Sequence, residues 1–360
     1  MTEAPEETAE TPFVQQGEFE KITQMVSAEF QVEEALLAHS IPTYYLKQPQ
    51  ETKQPFLKLL RSLETINMIA VLRKIDGRIV LKVVPKPQVK PSNVYVNWIL
   101  FFATIGTTFV TGYLASPGIV NPIIGGATFT IAMLAVLGTH EMGHKITANR
   151  KGVEATSPYF IPGPPPFGTF GAVIMQKSLP PNRDALFDVG ANGPIAGFII
   201  AAIVSIFGLM LVVPAAKSPD ASYIQVPIIW VLSIWFLQGL KLMPVAGPNQ
   251  DLLLHPITFA GWAGIIVTML NLLPAAMLDG GHVARSIAGE KLRLGLTGLS
   301  IFYLIIEGFY PMAILVLFMS MYKHPGPLDD VSGLSTKRKL LSIGLVGIFV
   351  LCIFPYAPFL

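Results

Sequence analysis

His140-Glu141-Met142-Gly143-His144 lies inside an apolar run of the 360-residue chain and joins the side-chain types that metal-assisted hydrolysis needs. On a helix, histidines at i and i+4 point the same way, so their ring nitrogens can converge on one zinc ion at about 2.0–2.1 Å. A glutamate next to the first histidine can reach a water held at the metal. The spacing therefore predicts a helix that carries two ligands and a base. A charged side chain near the bilayer centre costs roughly 2.5–3.5 kcal/mol unless a metal, a partner or water compensates, so such residues in an apolar run are functional by default. The bland alternative leaves both histidines neutral and pairs Glu141 with Lys145 one turn on.

Two histidines do not complete a catalytic zinc site, which takes three protein ligands and an open position. The single cysteine, Cys352, excludes a thiolate cage, so the third ligand is His, Asp or Glu. The candidates in apolar surroundings are Asp188, His255, Asp279, His282 and Glu307. Asp279 is the best of them. It stands at the end of an apolar stretch in Leu278-Asp279-Gly280-Gly281-His282, where two glycines let backbone approach closely and an uncompensated carboxylate would be costly.

The elements that must position these groups are membrane spans. The chain is 52% hydrophobic and only 13% charged, against about 25% charged in soluble domains. The charges are uneven, with 12 acidic and 11 basic residues within the first 92. A net charge of +2, without interleaved basic and aromatic residues, excludes nucleic acid as the main partner. No secretory signal fits the Glu-rich start, so residues 1–20 are expected to be a disordered acidic tail. Residues 21–92 are expected to form a small soluble α+β domain with strands near 65–72 and 78–84 around Asp76-Gly77, closed by a basic linker at 85–91. Residues 93–360 form the membrane domain. About twenty apolar residues cross a bilayer as a helix, and runs near 96–115, 123–149, 187–213, 255–277 and 339–357 qualify. The runs 222–242 and 293–322 are less regular: the first, with Trp230 and Trp235, reads as an interfacial or re-entrant hairpin or two short spans, and the second is broken by Glu307, Gly308 and Pro311. Six to eight crossings are expected. Lys82, Lys86 and Lys90 before the first run, and Lys145, Arg150, Lys151, Lys177 and Arg183 between the second and third, put both regions on the cytoplasmic side. The Asp279 helix must then run inward to reach the histidines.

HEMGH, the stretch Gly168-Thr169-Phe170-Gly171 after a proline-rich loop, Gly193-Pro194 with Ala196-Gly197, and Asn271-Leu272-Leu273-Pro274 before LDGG together resemble the site-2 protease family of intramembrane zinc metalloproteases. The resemblance runs from about 96 to 285. It implies that His140, His144 and Asp279 hold Zn2+ and that Glu141 activates water. It also implies that the 167–171 segment is a re-entrant extended element whose edge pairs with an unwound substrate, and that Asn271 and Pro274 line the substrate path. Asn271 has an equal alternative as an interhelical hydrogen-bonding residue. Ala191-Asn192-Gly193-Pro194 departs from the family's Ala-Gly-Pro, which puts local packing there in doubt. About 40 residues between the third span and the Asp279 helix leave no room for an inserted peptide-binding domain.

The function implied is zinc-dependent cleavage of transmembrane segments in single-pass membrane proteins. The expected surroundings are membrane lipid and a prokaryotic cell membrane; the partner of the N-terminal domain stays open. The rivals are a zinc or proton transporter, which has no use for Glu141, and a catalytically inactive membrane chaperone on the same fold.

Overall fold

The computed structural model describes residues 16–88, 93–218 and 223–354. The chain forms two compact units. The first contains helix α1 (Gln16–Glu29), strands β1 (Val32–Ala38) and β2 (Ile41–Leu46), helix α2 (Lys53–Glu64), and strands β3 (Met68–Ile75) and β4 (Arg78–Pro85). The strands make one antiparallel sheet in the order β1-β2-β4-β3. Both hairpins turn on two residues with positive φ, His39-Ser40 (50° and 63°) and Asp76-Gly77 (48° and 83°), the geometry that matches the twist of paired strands. Apolar residues at i, i+3 and i+7 of α2, namely Phe56, Leu59 and Leu63, pack with Val26, Tyr44, Leu72 and Leu81 as the core. Burial raises the Tyr44 hydroxyl pKa, and Thr23 beside it works the other way.

Two features of this unit differ from expectation. Residues 16–20, expected in the tail, open α1, while residues 1–15 lie outside the described residues. The unit also takes in Pro327–Gly333, which hydropathy leaves with the membrane domain. The reason is strand pairing: the Leu72 N–H donates to the Leu328 carbonyl (2.9 Å), Asp330 N–H donates back to Leu72 (3.2 Å), and the Leu328 side chain enters the core.

The second unit is helical. It holds α3 (Val94–Leu114), α4 (Pro122–Arg150), the hairpin β5 (Tyr159–Pro162) and β6 (Thr169–Val173), α5 (Arg183–Leu209), β7 (Val213–Ala216), α6 (Ile228–Gly239), β8 (Gln250–Leu253), α7 (Pro256–Leu272), α8 (Asp279–Ile306), α9 (Tyr310–Ser320) and α10 (Thr336–Cys352). Their starts are chemical: Asn93, Asn121 and Asn182 each cap a helix by accepting backbone N–H groups, and Pro122 and Pro256 stand in the first turns. Among the described residues, α3, α4 and α5 are long and apolar enough to cross a membrane, and α6, α7 and α9 are shorter apolar helices. The 293–322 run breaks where Glu307, Gly308 and Pro311 predict, between α8 and α9. The 222–242 run holds the short α6, and the strands β7 and β8 on either side of it pair.

Helices approach closely where one side supplies glycine, as membrane packing favours. A Cβ on Gly112 would run into Phe129 and Gly125, one on Gly208 into Thr258, and one on Gly143 into the Asn192 carbonyl. The Asn192 amide, at the departure from Ala-Gly-Pro, donates to Thr147 Oγ1 (3.0 Å) and ties α5 to α4.

Candidate metal centre

His140 and His144 sit on successive turns of α4, both buried. Asp279 reaches them from the start of α8. The expected site for it was the frayed end of an apolar helix, but α7 stops at Leu272, six residues earlier in the numbering than the turn's last residue, Leu278. The cause is Pro274, which pushes Leu273 to extended backbone (φ −54°, ψ 129°). Asp279 thus opens a new helix, where the helix dipole favours a carboxylate.

The three ligand atoms form a near-equilateral triangle. His140 Nε2 lies 3.2 Å from Asp279 Oδ2, His144 Nε2 lies 3.1 Å from the same oxygen, and the two Nε2 atoms are 3.1 Å apart. Bonds of about 2.0–2.1 Å to a tetrahedral zinc set its ligand atoms about 3.3 Å apart, so the triangle fits one face of such a site. The proton inventory agrees. His144 Nδ1 faces the Val189 carbonyl at 2.7 Å; a carbonyl only accepts, so Nδ1 carries a proton, and in the neutral form of the ring Nε2 turns a lone pair into the triangle. With the ring neutral, that lone pair and the Asp279 carboxylate oxygen face each other at 3.1 Å across a gap that a cation would fill. His140, His144 and Asp279 are the metal-competent group among the described residues.

The His144 ring has its place because α5 passes against it without a side chain. A Cβ on Gly193 would overlap the His144 imidazole, and one on Gly197 would press on His140 at 2.9 Å from Nδ1. Glu141 is buried beside the triangle, with Oε1 4.0 Å from His140 Nε2. Its carboxylate accepts the Ile174 N–H, just past the end of β6. The alternative pairing with Lys145 does not form, since Lys145 donates to Ser157 Oγ (2.9 Å).

The other candidate ligands are engaged elsewhere. Asp188 is held by Arg338 and Lys151. His255 caps α7 by accepting the Ile257 N–H at 3.2 Å. His282 Nδ1 meets His324 Nε2 at 2.7 Å; the Gly326 N–H occupies His324 Nδ1 (2.9 Å), so His324 is the donor. Glu307 is the residue that closes α8.

Residues of the expected substrate path divide. Gly168 (φ 72°) packs onto α3, where a Cβ would meet Thr108 at 2.7 Å, and Thr169 is buried with its hydroxyl on the Ile161 carbonyl. Phe170 is 74% exposed on β6, which among the described residues pairs only with β5 in its sheet, and the half-buried Gly171 next to it has open space where a Cβ would stand. Asn271 is half-buried at the end of α7 and its amide has no hydrogen-bond partner among the described residues, which disfavours the interhelical bond; Pro274 is half-buried in the turn after it. Val189 and Ile174 escape sequence reading because they act through a backbone carbonyl and a backbone N–H, whereas Gly193 and Gly197, which stand in the motifs read from the sequence, act by leaving room for the two imidazoles.

The model of peptidase family M50 matches residues 128–301. The chain is 30% identical over 285 residues to the Arabidopsis thaliana protein named probable zinc metalloprotease EGY1, chloroplastic, covering 70% of this chain and 51% of that protein. It is 33% identical over 237 residues to the protein named probable zinc metalloprotease EGY2, chloroplastic, of the same plant, covering 62% and 40%. For the protein named probable zinc metallopeptidase EGY3, chloroplastic, the identity is 30% over 228 residues, covering 56% and 36%. The chain thus spans about half or less of the length of these relatives. Their names place them in chloroplasts and lend no support to the expected prokaryotic membrane. No solved structure matches.

Proposed function

Residues 128–301 belong to peptidase family M50, the site-2 protease family, and from that premise we propose that the chain is a zinc-dependent endopeptidase that hydrolyses peptide bonds within transmembrane segments of single-pass membrane proteins. The observation that carries this reading is the ligand triangle with the buried Glu141 carboxylate 4.0 Å from one of its corners. His140, His144 and Asp279 hold the metal. Zinc, when bound, lowers the pKa of water and polarises a carbonyl. Glu141, aimed by the Ile174 N–H, takes the proton of the attacking water and returns it to the leaving amine. The Val189 carbonyl holds His144 in the tautomer that the site requires.

A helical substrate hides its carbonyls in hydrogen bonds and must unwind first. The outward side of β6 at Phe170 and Gly171 offers a strand edge for the extended segment, ending at the N–H that touches Glu141. Such an edge is tolerated at membrane depth only where it lines a wet cavity. The free amide of Asn271 is a second backbone holder.

We place the unit in the bilayer with six to eight crossings: α3, α4, α5, α7 and α10 cross, α8 beyond its bend returns with α9, and α6 lies at the interface. The basic residues at 82–90 and 145–183 face the cytoplasm or its organellar equivalent. The test is cleavage of a generic single-span substrate by purified protein in detergent, with Glu141→Gln as control. Loss of the general base lowers the rate by about 10² to 10⁴ or more with zinc retained. Normal zinc with normal proteolysis would remove Glu141 from this role.

A further inference from the structure

Asp279 is delivered to the histidines by a turn that has two backbone hydrogen bonds of its own, Ala275 N–H to the Leu273 carbonyl (2.7 Å) and Leu278 N–H to the Ala275 carbonyl (3.0 Å), and that leaves both backbone groups of Ala276 to partners outside it. In the segment between α7 and α8, Ala276 has φ 46°, the left-handed region that a residue with a Cβ occupies only when its surroundings over-determine it. Two side chains from much further along do so. The Ala276 N–H donates to Thr297 Oγ1 (3.0 Å), and Arg293 Nη1 donates to the Ala276 carbonyl (3.0 Å). Both groups of one peptide-bearing residue are thus claimed by the distal half of α8.

That half comes back to the turn because α8 bends. Gly289, with φ 77° and ψ −170°, interrupts the helix. In a straight helix residue 293 would lie about 20 Å along the axis from residue 279; the bend removes that separation. The two side chains are themselves prepared. Arg293 is fully buried, and Glu290 takes its Nε and Nη2 at 2.9 and 2.6 Å. The Thr297 hydroxyl spends its proton on the Arg293 carbonyl (2.8 Å), which leaves a lone pair for the Ala276 N–H. Neither residue touches the triangle, and neither belongs to the resemblance that marked the ligands.

We propose that Arg293 and Thr297 are positioning residues for the third metal ligand: by clamping Ala276 they fix where α8 starts, and so hold the Asp279 carboxylate at the spacing from His140 and His144 that one ion spans. This rests on the reading of those three residues as the metal centre. Outer partners that orient ligands typically change metal affinity by about 10- to 100-fold when removed, and the clamp falls in that class.

The experiment measures zinc retention by the full chain in detergent against a graded competing chelator. Thr297→Val keeps the shape and deletes the acceptor; it is expected to weaken zinc binding by about 10-fold or more. Thr297→Ser restores the oxygen and the wild-type affinity. Thr297→Ala, which removes the same oxygen in a smaller side chain, repeats the loss if the valine variant does not fold. Thr268→Val is the control, a buried threonine whose hydroxyl bonds only its own helix at Gly264 (3.0 Å), and it leaves affinity unchanged. Wild-type affinity in Thr297→Val, or a serine variant as weak as the valine one, overturns the proposal. Zinc retained in full by His140→Ala with His144→Ala overturns the metal-centre reading instead, and the two failures are told apart by that arm.

Discussion

Two clusters of acidic and basic side chains are largely enclosed in the helical unit, and they are built on opposite logic. At the first turns of α5, Asp184 and Asp188 face Arg338 of α10 and Lys151 at the end of α4. Arg338 donates to Asp188 at 2.6 and 2.5 Å and to Asp184 at 2.9 Å, Lys151 lies 2.7 Å from Asp188, and the Ser335 N–H fills another Asp184 oxygen at 2.9 Å. Every acceptor there has a donor. In the triangle of His140, His144 and Asp279, three ligand-type atoms are turned toward one another at 3.1–3.2 Å with no Lys or Arg among them, and the proton on His144 Nδ1 points away to Val189. Buried charge alone therefore does not mark a site; histidine and carboxylate ligand atoms converging on one point without a Lys or Arg to pair them do. The first cluster is complete as protein, and the second is complete with a cation.

The sharpest way to break this contrast is at the triangle. His140→Ala with His144→Ala is expected to abolish zinc binding, since two of three ligands go and a single carboxylate does not hold the ion at the required geometry. Metal analysis of the purified variant decides it, and full zinc stoichiometry would dissolve the contrast.

A smaller effect is expected from Gly193→Ala. No ligand is removed, yet the new methyl occupies the space of the His144 ring. The ring must tilt, its bond to Val189 lengthens, and zinc affinity is expected to fall by about 10- to 100-fold, as for loss of an orienting partner. Chelator competition measures it. Unchanged affinity would mean that the α4–α5 approach yields more easily than the contact suggests.

How much of this was legible in the sequence follows the same division between local and non-local signals. HEMGH, the spans that became α3, α4 and α5, the break at Glu307 to Pro311 and the Asp76-Gly77 turn are local patterns, and the structure has them. Asp279 was legible as a candidate ligand but not as a helix start, because the apolar run continues through the turn after Leu272 and hydropathy does not register a change of direction; Pro274 was the available signal. The His39-Ser40 hairpin lacks the glycine that announces such turns. Pro327–Gly333 joins the first unit by pairing with Leu72, a partnership across some 250 positions that leaves no periodicity. Arg285, Glu290 and Arg293 belong to no local motif, and the structure buries Arg293 completely.

The smallest effect on the metal, and the one that tests the saturated cluster, is expected from Arg338→Met. Methionine keeps much of the length and loses the donors, so Asp184 and Asp188 are left largely enclosed without their guanidinium, Lys151 and the Ser335 N–H being among the partners that remain. An enclosed polar group deprived of its partner costs about 1–3 kcal/mol, which thermal or denaturant unfolding would register. Arg338→Met with Asp188→Leu removes charge from both sides and is expected to recover part of that loss, because a buried pair replaced by apolar side chains is often close to neutral. Lys151 is then free to turn to water, as its partial exposure allows. Zinc affinity is the decisive comparison. Asp188 directly precedes Val189, whose carbonyl orients His144, so the two clusters are neighbours along one helix. If their separation is real, α5 keeps its backbone when Arg338 is lost, and zinc stays bound as tightly as in the unaltered chain while stability falls. A drop in zinc affinity of about tenfold or more, the size expected for an orienting partner, would show that the ionic cluster steadies the Val189 carbonyl and that the two regions act as one site.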